Sequence, residues 1–146
     1  MANKLFIILG NQLFDPIILK EVGCNRVFMA EDFGLCTYEK HHKLKLYLFL
    51  TAMREYCKEL ESHGIIVDYF PLEGRKKEES YVKLLLNYLH ESKFSSINFF
   101  EIEDKPFEKI VFQELENSKI KHTVHNSPMF LFTRSALKSS LGDKKL

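Results

Sequence analysis

The sequence shows no excess of charge of either sign. Its 21 lysine and arginine residues nearly balance its 20 aspartate and glutamate residues, so the formal net charge is only +1. A near-neutral chain has no overall field that would draw it to nucleic acid or to a membrane surface. Any basic binding site must therefore be local.

Cysteine and long apolar runs are also scarce. The three cysteines, Cys24, Cys36 and Cys57, have no CxxC spacing. An odd number of cysteines without a secretory signal is typical of reduced thiols in the cytosol. The apolar run at 5–9 is too short for a signal peptide or a membrane span. These absences predict a cytoplasmic protein that does not enter a membrane.

Several common catalytic and binding motifs are missing. Neither GxGxxG nor a Walker motif occurs, which disfavours a cradle for dinucleotide or nucleoside triphosphate phosphates. No GxSxG elbow occurs and no cysteine has a base beside it in sequence, so nucleophilic catalysis has little support. His41 and His42 are adjacent and would point about 100° apart on a helix. Metal-ligand spacings are absent near them, so a metal site is disfavoured.

Apolar segments recur along a chain whose 146 residues suit one domain. They are continuous rather than alternating, as in strands that are buried on both faces of a parallel sheet. The predicted strands lie at 4–9, 26–30, 65–70, 97–101 and 120–124. The last is shorter and more polar, which is typical of a strand at the edge of a sheet.

Helical periodicity separates most of these strands. Apolar residues at three- and four-residue steps predict helices at 38–63, 79–91 and 106–117. Gly64 is well placed to end the first helix, and Pro106 to begin the third. The charged segment 74–79 is expected to be solvated. This alternation predicts an α/β protein: a Rossmann-like three-layer sandwich with a mainly parallel five-stranded sheet.

Polar residues follow the first two predicted strands. Gly10, Asn11 and Gln12 form a turn in which glycine allows a close approach and the amides could bind the edge of a heterocycle. A plain exit from the strand explains these three residues equally well. Glu31 and Asp32 follow the second strand and could accept hydrogen bonds from ribose or ribityl hydroxyls. For Asp32 alone, a solvated loop is the favoured interpretation.

Basic residues crowd the start of the first long helix. Tyr38, His42 and Lys45 are spaced four and three apart, and His41 is four residues before Lys45. Positive charge at a helix N-terminus opposes the helix dipole, at a cost of about 0.3–1 kcal/mol per charge. A bound anion, a DNA phosphate or a partner's acidic face would offset this cost. The alternative is a solvated polar face.

The last 20 residues differ from the rest. An apolar stretch at 128–133 runs into a short helical pattern and a polar end. We therefore expect residues 1–126 to form the α/β domain. Residues 127–146 are expected to be an exit segment that leads towards a further domain absent from this chain.

Five segments together resemble a known family. They are IILGNQL at 7–13, VFMAED at 27–32, HHKLKLYLFLTAMREYCKELESHGIIVDYFPL at 41–72, FFEIEDKPFEKIVFQEL at 99–115 and PMFLFTRSAL at 128–137. The chain resembles the N-terminal α/β domain of the photolyase-related proteins, the iron–sulfur bacterial cryptochromes and (6-4) photolyases. In that family the first segment is usually LILGDQL, so Asn11 replaces an aspartate.

The resemblance implies that different domains bind different cofactors. FAD, a 4Fe-4S cluster and DNA contacts would belong to a C-terminal helical domain, while the N-terminal domain would hold the antenna 6,7-dimethyl-8-ribityllumazine or a similar molecule. The implied cofactor-binding residues are Gly10, Asn11, Gln12, Leu13, Glu31, Tyr38, His42 and Lys45. No catalytic residue or metal ligand is implied. Because photochemical repair needs a bound flavin, the chain alone is expected to be inactive as a photolyase.

Two functions of different classes follow. The first is an antenna or regulatory domain of a DNA-repair or light-sensing flavoprotein. The alternative is a ligand-free interaction module that docks through 128–137 on a separately encoded helical partner, with the exposed sheet edge or the basic helix face as the contact. Such a module could also self-associate through the exposed domain interface. A small hydrolase that uses Glu31, Asp32 and His42 rests on little more than their proximity.

Overall fold

The computed structural model describes residues 5–92, 94 and 96–142. It contains one sheet of five parallel strands in the order β3-β2-β1-β4-β5. The strands are β1 (Leu5–Ile7), β2 (Arg26–Ala30), β3 (Ile66–Phe70), β4 (Ser96–Phe100) and β5 (Lys121–His125). The predicted parallel sheet is confirmed, and the polar last strand lies at an edge.

Six helices accompany the sheet in the described part of the chain. They are α1 (Pro16–Glu21), α2 (Phe33–Thr37), α3 (Lys43–Ser62), α4 (Tyr81–Ser92), α5 (Lys105–Asn117) and α6 (Arg134–Leu141). Helices α1 and α3 pack on one face of the sheet, and α4 and α5 pack on the other. This arrangement confirms the Rossmann-like α/β fold. Among the described helices, none has both the length and the apolar character needed to cross a membrane.

Side chains of the central strand β1, and of Ile8 just after it, pack into the hydrophobic cores on both faces of the sheet. Leu5 and Ile7 belong to the core on the α4 and α5 side, whereas Phe6 and Ile8 belong to the core on the α1 and α3 side. All four side chains are at most 1% exposed. Burial on both faces explains why this segment is continuously apolar rather than alternating.

The prediction of one helix from 38 to 63 is wrong at its start. Helix α2, which was not predicted, ends at Thr37, and α3 begins only at Lys43. The backbone of His42 is extended, and its side-chain Nδ1 accepts a hydrogen bond from the Leu44 amide at 3.2 Å. His42 therefore caps α3. Tyr38 precedes that helix and does not share a helical face with His42 and Lys45.

Other boundaries differ by a few residues. Helix α1 was also not predicted, and α4 begins at Tyr81 rather than at residue 79. Pro106 lies in the first turn of α5, as predicted. The predicted first residue of β1, Lys4, and the last four residues of the predicted exit segment lie outside the described residues.

Gly64 ends α3 in the manner predicted. Its φ of +77° follows the cap residue His63. The Gly64 amide donates to the Glu61 carbonyl at 2.9 Å, and the Ile65 amide donates to the Leu60 carbonyl at 3.0 Å. This pair of hydrogen bonds is the Schellman motif, which requires a left-handed residue at this position.

Replacing Gly64 with alanine should lower the free energy of unfolding by about 1 kcal/mol, because a Cβ is strained at positive φ. Urea denaturation measures the change. Gly64→Asn should cost less, since asparagine tolerates this conformation better. Equal stability of Gly64→Ala and the parent chain would contradict the assignment.

Candidate functional site at the carboxyl edge of the sheet

The strand order creates a crevice between β1 and β4. After β1 the chain turns to α1 on one face, and after β4 it turns to α5 on the other. Open α/β sheets bind ligands at such a switch point, outside the carboxyl ends of the strands. Two neighbouring cavities lie at this edge, one of about 180 Å³ and one of about 660 Å³.

The smaller cavity lies over the turn after β1. Gly10, Asn11 and Glu31 line it, together with Phe49 of α3. A Cβ added at Gly10 would lie 2.5 Å from the Phe49 ring and 2.7 Å from the Met53 sulfur. Glycine at this position therefore lets α3 approach the end of β1. Ligand pockets usually measure about 300–1,000 Å³, so this cavity alone is small for a heterocycle with a side chain.

The larger cavity lies between α2, α4 and α5. Its lining is mainly apolar or aromatic and includes Leu35, Tyr38, Val82, Leu86, Pro106, Phe107 and Ile110. Its volume falls within the usual range for ligand pockets. Residues that line both cavities form the wall between them, and we call them the shared wall: Asp32, Leu35, Tyr81, Asp104 and Phe107.

Two buried polar atoms of the shared wall have no hydrogen-bond partner. Asp32 Oδ1 accepts from the Leu35 amide at 2.8 Å and caps α2, but Oδ2 accepts no hydrogen bond. Arg75 Nη2 forms an ion pair with Oδ2 at 3.9 Å, which is beyond hydrogen-bond distance. The Tyr81 hydroxyl is also buried and unpaired. Burial first, and then the Asp32 charge, raise the pKa of Tyr81, so the phenol stays protonated.

The side chain of Glu31 is hydrogen-bonded within the protein and has a structural role. Its side chain is 0% exposed, yet both carboxylate oxygens are hydrogen-bonded. Arg54 donates to Oε1 at 2.7 Å and to Oε2 at 3.0 Å, the Tyr69 hydroxyl donates to Oε1 at 2.6 Å, and the Leu72 amide donates to Oε2 at 2.9 Å. Burial raises the pKa of Glu31, but these hydrogen bonds outweigh burial and leave it below its usual value.

Arg75 is an exception to the expectation that the charged segment 74–79 is solvated, since residues 74 and 76–78 are exposed as expected. Its side chain is only 9% exposed. It donates to the Glu31 carbonyl and, at 3.2 Å, to Glu79 Oε2. The segment therefore folds back onto the end of β2 and places a guanidinium beside the shared wall.

The amides of the β1 turn are engaged by the protein. Gln12 is 1% exposed, and its Nε2 donates to the Glu101 carbonyl at 2.9 Å and to Glu103 Oε2 at 3.3 Å. Asn11 Nδ2 donates to the same Glu103 oxygen at 3.1 Å. Leu13 packs against the core on the α1 and α3 side. These contacts tie the turn after β1 to the loop after β4.

The eight predicted cofactor-binding residues are only partly brought together. Gly10, Asn11 and Glu31 line the smaller cavity, and Tyr38, which is 74% exposed, lines the larger one. Gln12, Leu13, His42 and Lys45 line neither. Lys45 is exposed, with its Nζ 3.4 Å from His41 Nδ1. The cap formed by His42 gives this helix start a structural role.

Sequence reasoning missed Tyr81 and Phe107. Asp104 follows β4 at the same edge, and its side chain caps α5 by accepting from the Phe107 amide at 2.9 Å. An aspartate two residues before Pro106 was an available signal for a helix start next to the crevice. No local pattern marks Tyr81, because its position depends on how the loop before α4 folds back.

The three residues of the hydrolase alternative are not brought together at one cavity. Asp32 lines both cavities, and Glu31 lines the smaller one with both carboxylate oxygens hydrogen-bonded by the protein, but His42 lines neither cavity. Burial, with the charges of Asp32 and Glu31, raises the pKa of the Cys36 thiol in the smaller cavity. Within the described ranges, no group of three histidine, cysteine, aspartate or glutamate residues could hold a metal ion.

The chain matches a model of a known protein family. A family model described as "Deoxyribodipyrimidine photo-lyase-related protein" matches residues 6–146. No curated protein matches the chain. The matched region includes the β1 turn, both cavities and the segment after β5.

Replacing Glu31 with glutamine should lower the free energy of unfolding by about 2–3 kcal/mol. Breaking one side of a buried ion pair costs about 3–5 kcal/mol, and the Arg54 side chain, 43% exposed, recovers part of this from water. Urea denaturation at neutral pH measures the loss. Glu73→Gln is the matched control, because Glu73 binds the same arginine with a side chain 68% exposed. It should cost less than about 1 kcal/mol.

The stability difference between the parent chain and Glu31→Gln should depend on pH. Because the folded pKa of Glu31 lies below its ordinary value of 4.5, its contribution is complete above that value and is lost as the pH falls through the folded pKa. The difference should therefore shrink below about pH 4.5. A difference that stays constant down to pH 2, or equal costs for Glu31→Gln and Glu73→Gln, would contradict the role given to Glu31.

Proposed function

Because the chain belongs to the deoxyribodipyrimidine photo-lyase-related protein family, we propose that it is the antenna or regulatory domain of a DNA-repair or light-sensing flavoprotein. It binds a flat heterocycle, 6,7-dimethyl-8-ribityllumazine or a similar molecule, in the larger cavity. The observation that carries this proposal is a cavity of about 660 Å³ between α2, α4 and α5, which shares a wall with the smaller cavity at the switch point of the sheet.

The residues around the larger cavity fit such a ligand. Tyr38 and Phe107 offer aromatic faces for a planar ring. Ser80, just before α4, supplies a hydroxyl group, and Asn87 and Lys83, in its first two turns, supply amide and ammonium groups for a polyhydroxylated chain. An apolar interior with a few polar groups is the usual composition of a cofactor site.

The chain's own residues would bind the chromophore and exclude water from it. When bound, an antenna absorbs light and passes the energy to a flavin elsewhere. In this proposal FAD, the 4Fe-4S cluster and contacts with DNA belong to a C-terminal helical domain. Photolyase catalysis is accordingly assigned to no residue of this chain.

The segment after β5 favours a second candidate, an interaction module. Phe130, Leu131 and Phe132 are 55%, 99% and 71% exposed. Arg134, just beyond them, donates to Glu108 Oε1 at 2.7 Å and to the Ile102 carbonyl at 2.6 Å. The apolar side chains are thus presented beside a fixed anchor, which suits docking on a helical partner or on a second copy of the chain.

A bulky residue in the larger cavity should abolish ligand binding. Ile110 lines the cavity on α5 and is 54% exposed, so Ile110→Trp should fill the cavity without disturbing the core. We expect 6,7-dimethyl-8-ribityllumazine to raise the melting temperature of the parent chain, and we expect the fluorescence of the lumazine to be quenched on binding. With Ile110→Trp, neither the melting temperature nor the lumazine fluorescence should change.

Ile17→Trp is the matched control, because Ile17 is 58% exposed on α1 and lines neither cavity. It should bind like the parent chain. Riboflavin 5′-phosphate and an 8-hydroxy-5-deazaflavin serve as alternative ligands. If none of the three changes the melting temperature of the parent chain at saturation, the antenna proposal fails.

Charge in the exposed apolar segment should reduce association if the second candidate is correct. We expect the parent chain to self-associate with increasing concentration in light scattering, and Leu131→Asp to remain monomeric. Tyr47→Asp is the control, since Tyr47 is also an exposed apolar side chain, at 71%, but belongs to α3. A parent chain that stays monomeric at all concentrations, or an equal effect of both variants, would count against docking through 128–137.

A further inference from the structure

Asp32 and Tyr81 together are costly for the folded chain. They are 5% and 3% exposed, and Asp32 Oδ2 and the Tyr81 hydroxyl lack hydrogen-bond partners. A buried polar group without a hydrogen-bond partner destabilises the folded state, because it has given up its hydrogen bonds to water. Native proteins contain few such groups, and each requires an explanation. Here two of them stand in the shared wall of the same pair of cavities.

Asp32 and Tyr81 each have a structural role in the fold, but that role does not involve the atom that lacks a hydrogen bond. The cap of α2 uses only Asp32 Oδ1. Arg75 does not reach Oδ2 within hydrogen-bond distance, because Glu79 and the Glu31 carbonyl hold its guanidinium. The Tyr81 ring packs edge-on against Phe28 and Phe107, with centroids 6.0 and 5.6 Å away. A phenylalanine would make the same ring contacts, so packing does not require the hydroxyl.

We propose that Asp32 and Tyr81 are a recognition pair for a lactam edge, an N–H donor next to a carbonyl acceptor, on the ligand of the larger cavity. This inference rests on the function proposed above and specifies the chemistry that the site selects. A carboxylate oxygen only accepts hydrogen bonds, whereas a protonated phenol can donate one. The pyrimidinedione ring of a lumazine or a flavin carries an N–H between two carbonyls and so matches both atoms.

A ligand can reach Asp32 Oδ2 and the Tyr81 hydroxyl only if a side chain of the shared wall moves. Both unpaired atoms are covered by protein in the structure. Leu35 belongs to the wall, lies on the five-residue helix α2 and is 42% exposed. Its displacement costs less than that of a buried core side chain, since less apolar surface leaves the protein interior. The ligand edge would take its place and supply the hydrogen bonds that the wall lacks.

Two conservative substitutions separate recognition from folding. Tyr81→Phe removes a hydroxyl that has no partner, so the melting temperature should stay constant or rise. Asp32→Asn keeps an oxygen for the α2 cap and turns the unpaired acceptor into a donor. Affinity for 6,7-dimethyl-8-ribityllumazine, from fluorescence titration, should fall about 5–10-fold in Tyr81→Phe and at least about 10-fold in Asp32→Asn, the range of one or two lost hydrogen bonds.

The N3-methyl derivative of the same lumazine is the decisive probe, because it lacks the N–H donor. The parent chain should bind it at least about 10-fold more weakly than the lumazine, and Asp32→Asn should bind the two probes equally. If the parent chain binds the lumazine and its derivative equally, or if neither substitution weakens binding, the recognition pair is wrong while the proposed function stands. If the parent chain binds neither probe, both proposals fail.

Discussion

The buried carboxylate of Glu31 sets the geometry of the sheet's carboxyl edge. A carboxylate with no exposed surface must be matched by donors, because removing its water without compensation costs several kcal/mol. Arg54 of α3, Tyr69 of β3 and the Leu72 amide provide those donors. The edge is complete only when α3 and β3 are in place, so this one side chain links two elements that are distant in sequence to the end of β2.

The hydrogen bonds of Glu31 also fix the position of the neighbouring residues at the candidate site. Asp32 follows Glu31, begins α2 and stands in the shared wall of the two cavities. Gln12 and Glu103 similarly fix the turn after β1 against the loop after β4. Most polar groups at this edge are thus hydrogen-bonded within the protein, whereas Asp32 Oδ2 and the Tyr81 hydroxyl are not. In the proposed function, the stability lost at these two atoms is a cost of ligand recognition.

The architecture was predictable because its signals are local. Continuous apolar segments, helical periodicity, Gly64 and Pro106 predicted a parallel sheet with helices on both faces. The start of α3 was not predictable in this way, because it is fixed by the side chain of His42, which accepts a hydrogen bond from the Leu44 amide. Apolar periodicity alone could not show that His42 is the N-cap at which α3 begins.

The candidate site was predictable only in its location. Strand ends at one edge pointed to Gly10, Asn11 and Glu31, and they do line a cavity. Their detailed roles depend on partners far away in sequence: Gly10 on Phe49, and Glu31 on Arg54 and Tyr69. The larger cavity arises where α2, α4 and α5 meet, and no single segment of the sequence encodes it.

A two-dimensional amide NMR titration of the ¹⁵N-labelled chain with 6,7-dimethyl-8-ribityllumazine tests most directly whether the larger cavity receives a heterocyclic ligand. Binding in this cavity predicts saturable shifts concentrated at 32–38, 80–87 and 104–110, the segments that line the cavity, with little change at 16–21 on the opposite face of the sheet. Saturable shifts centred elsewhere, or none at millimolar ligand, would contradict it.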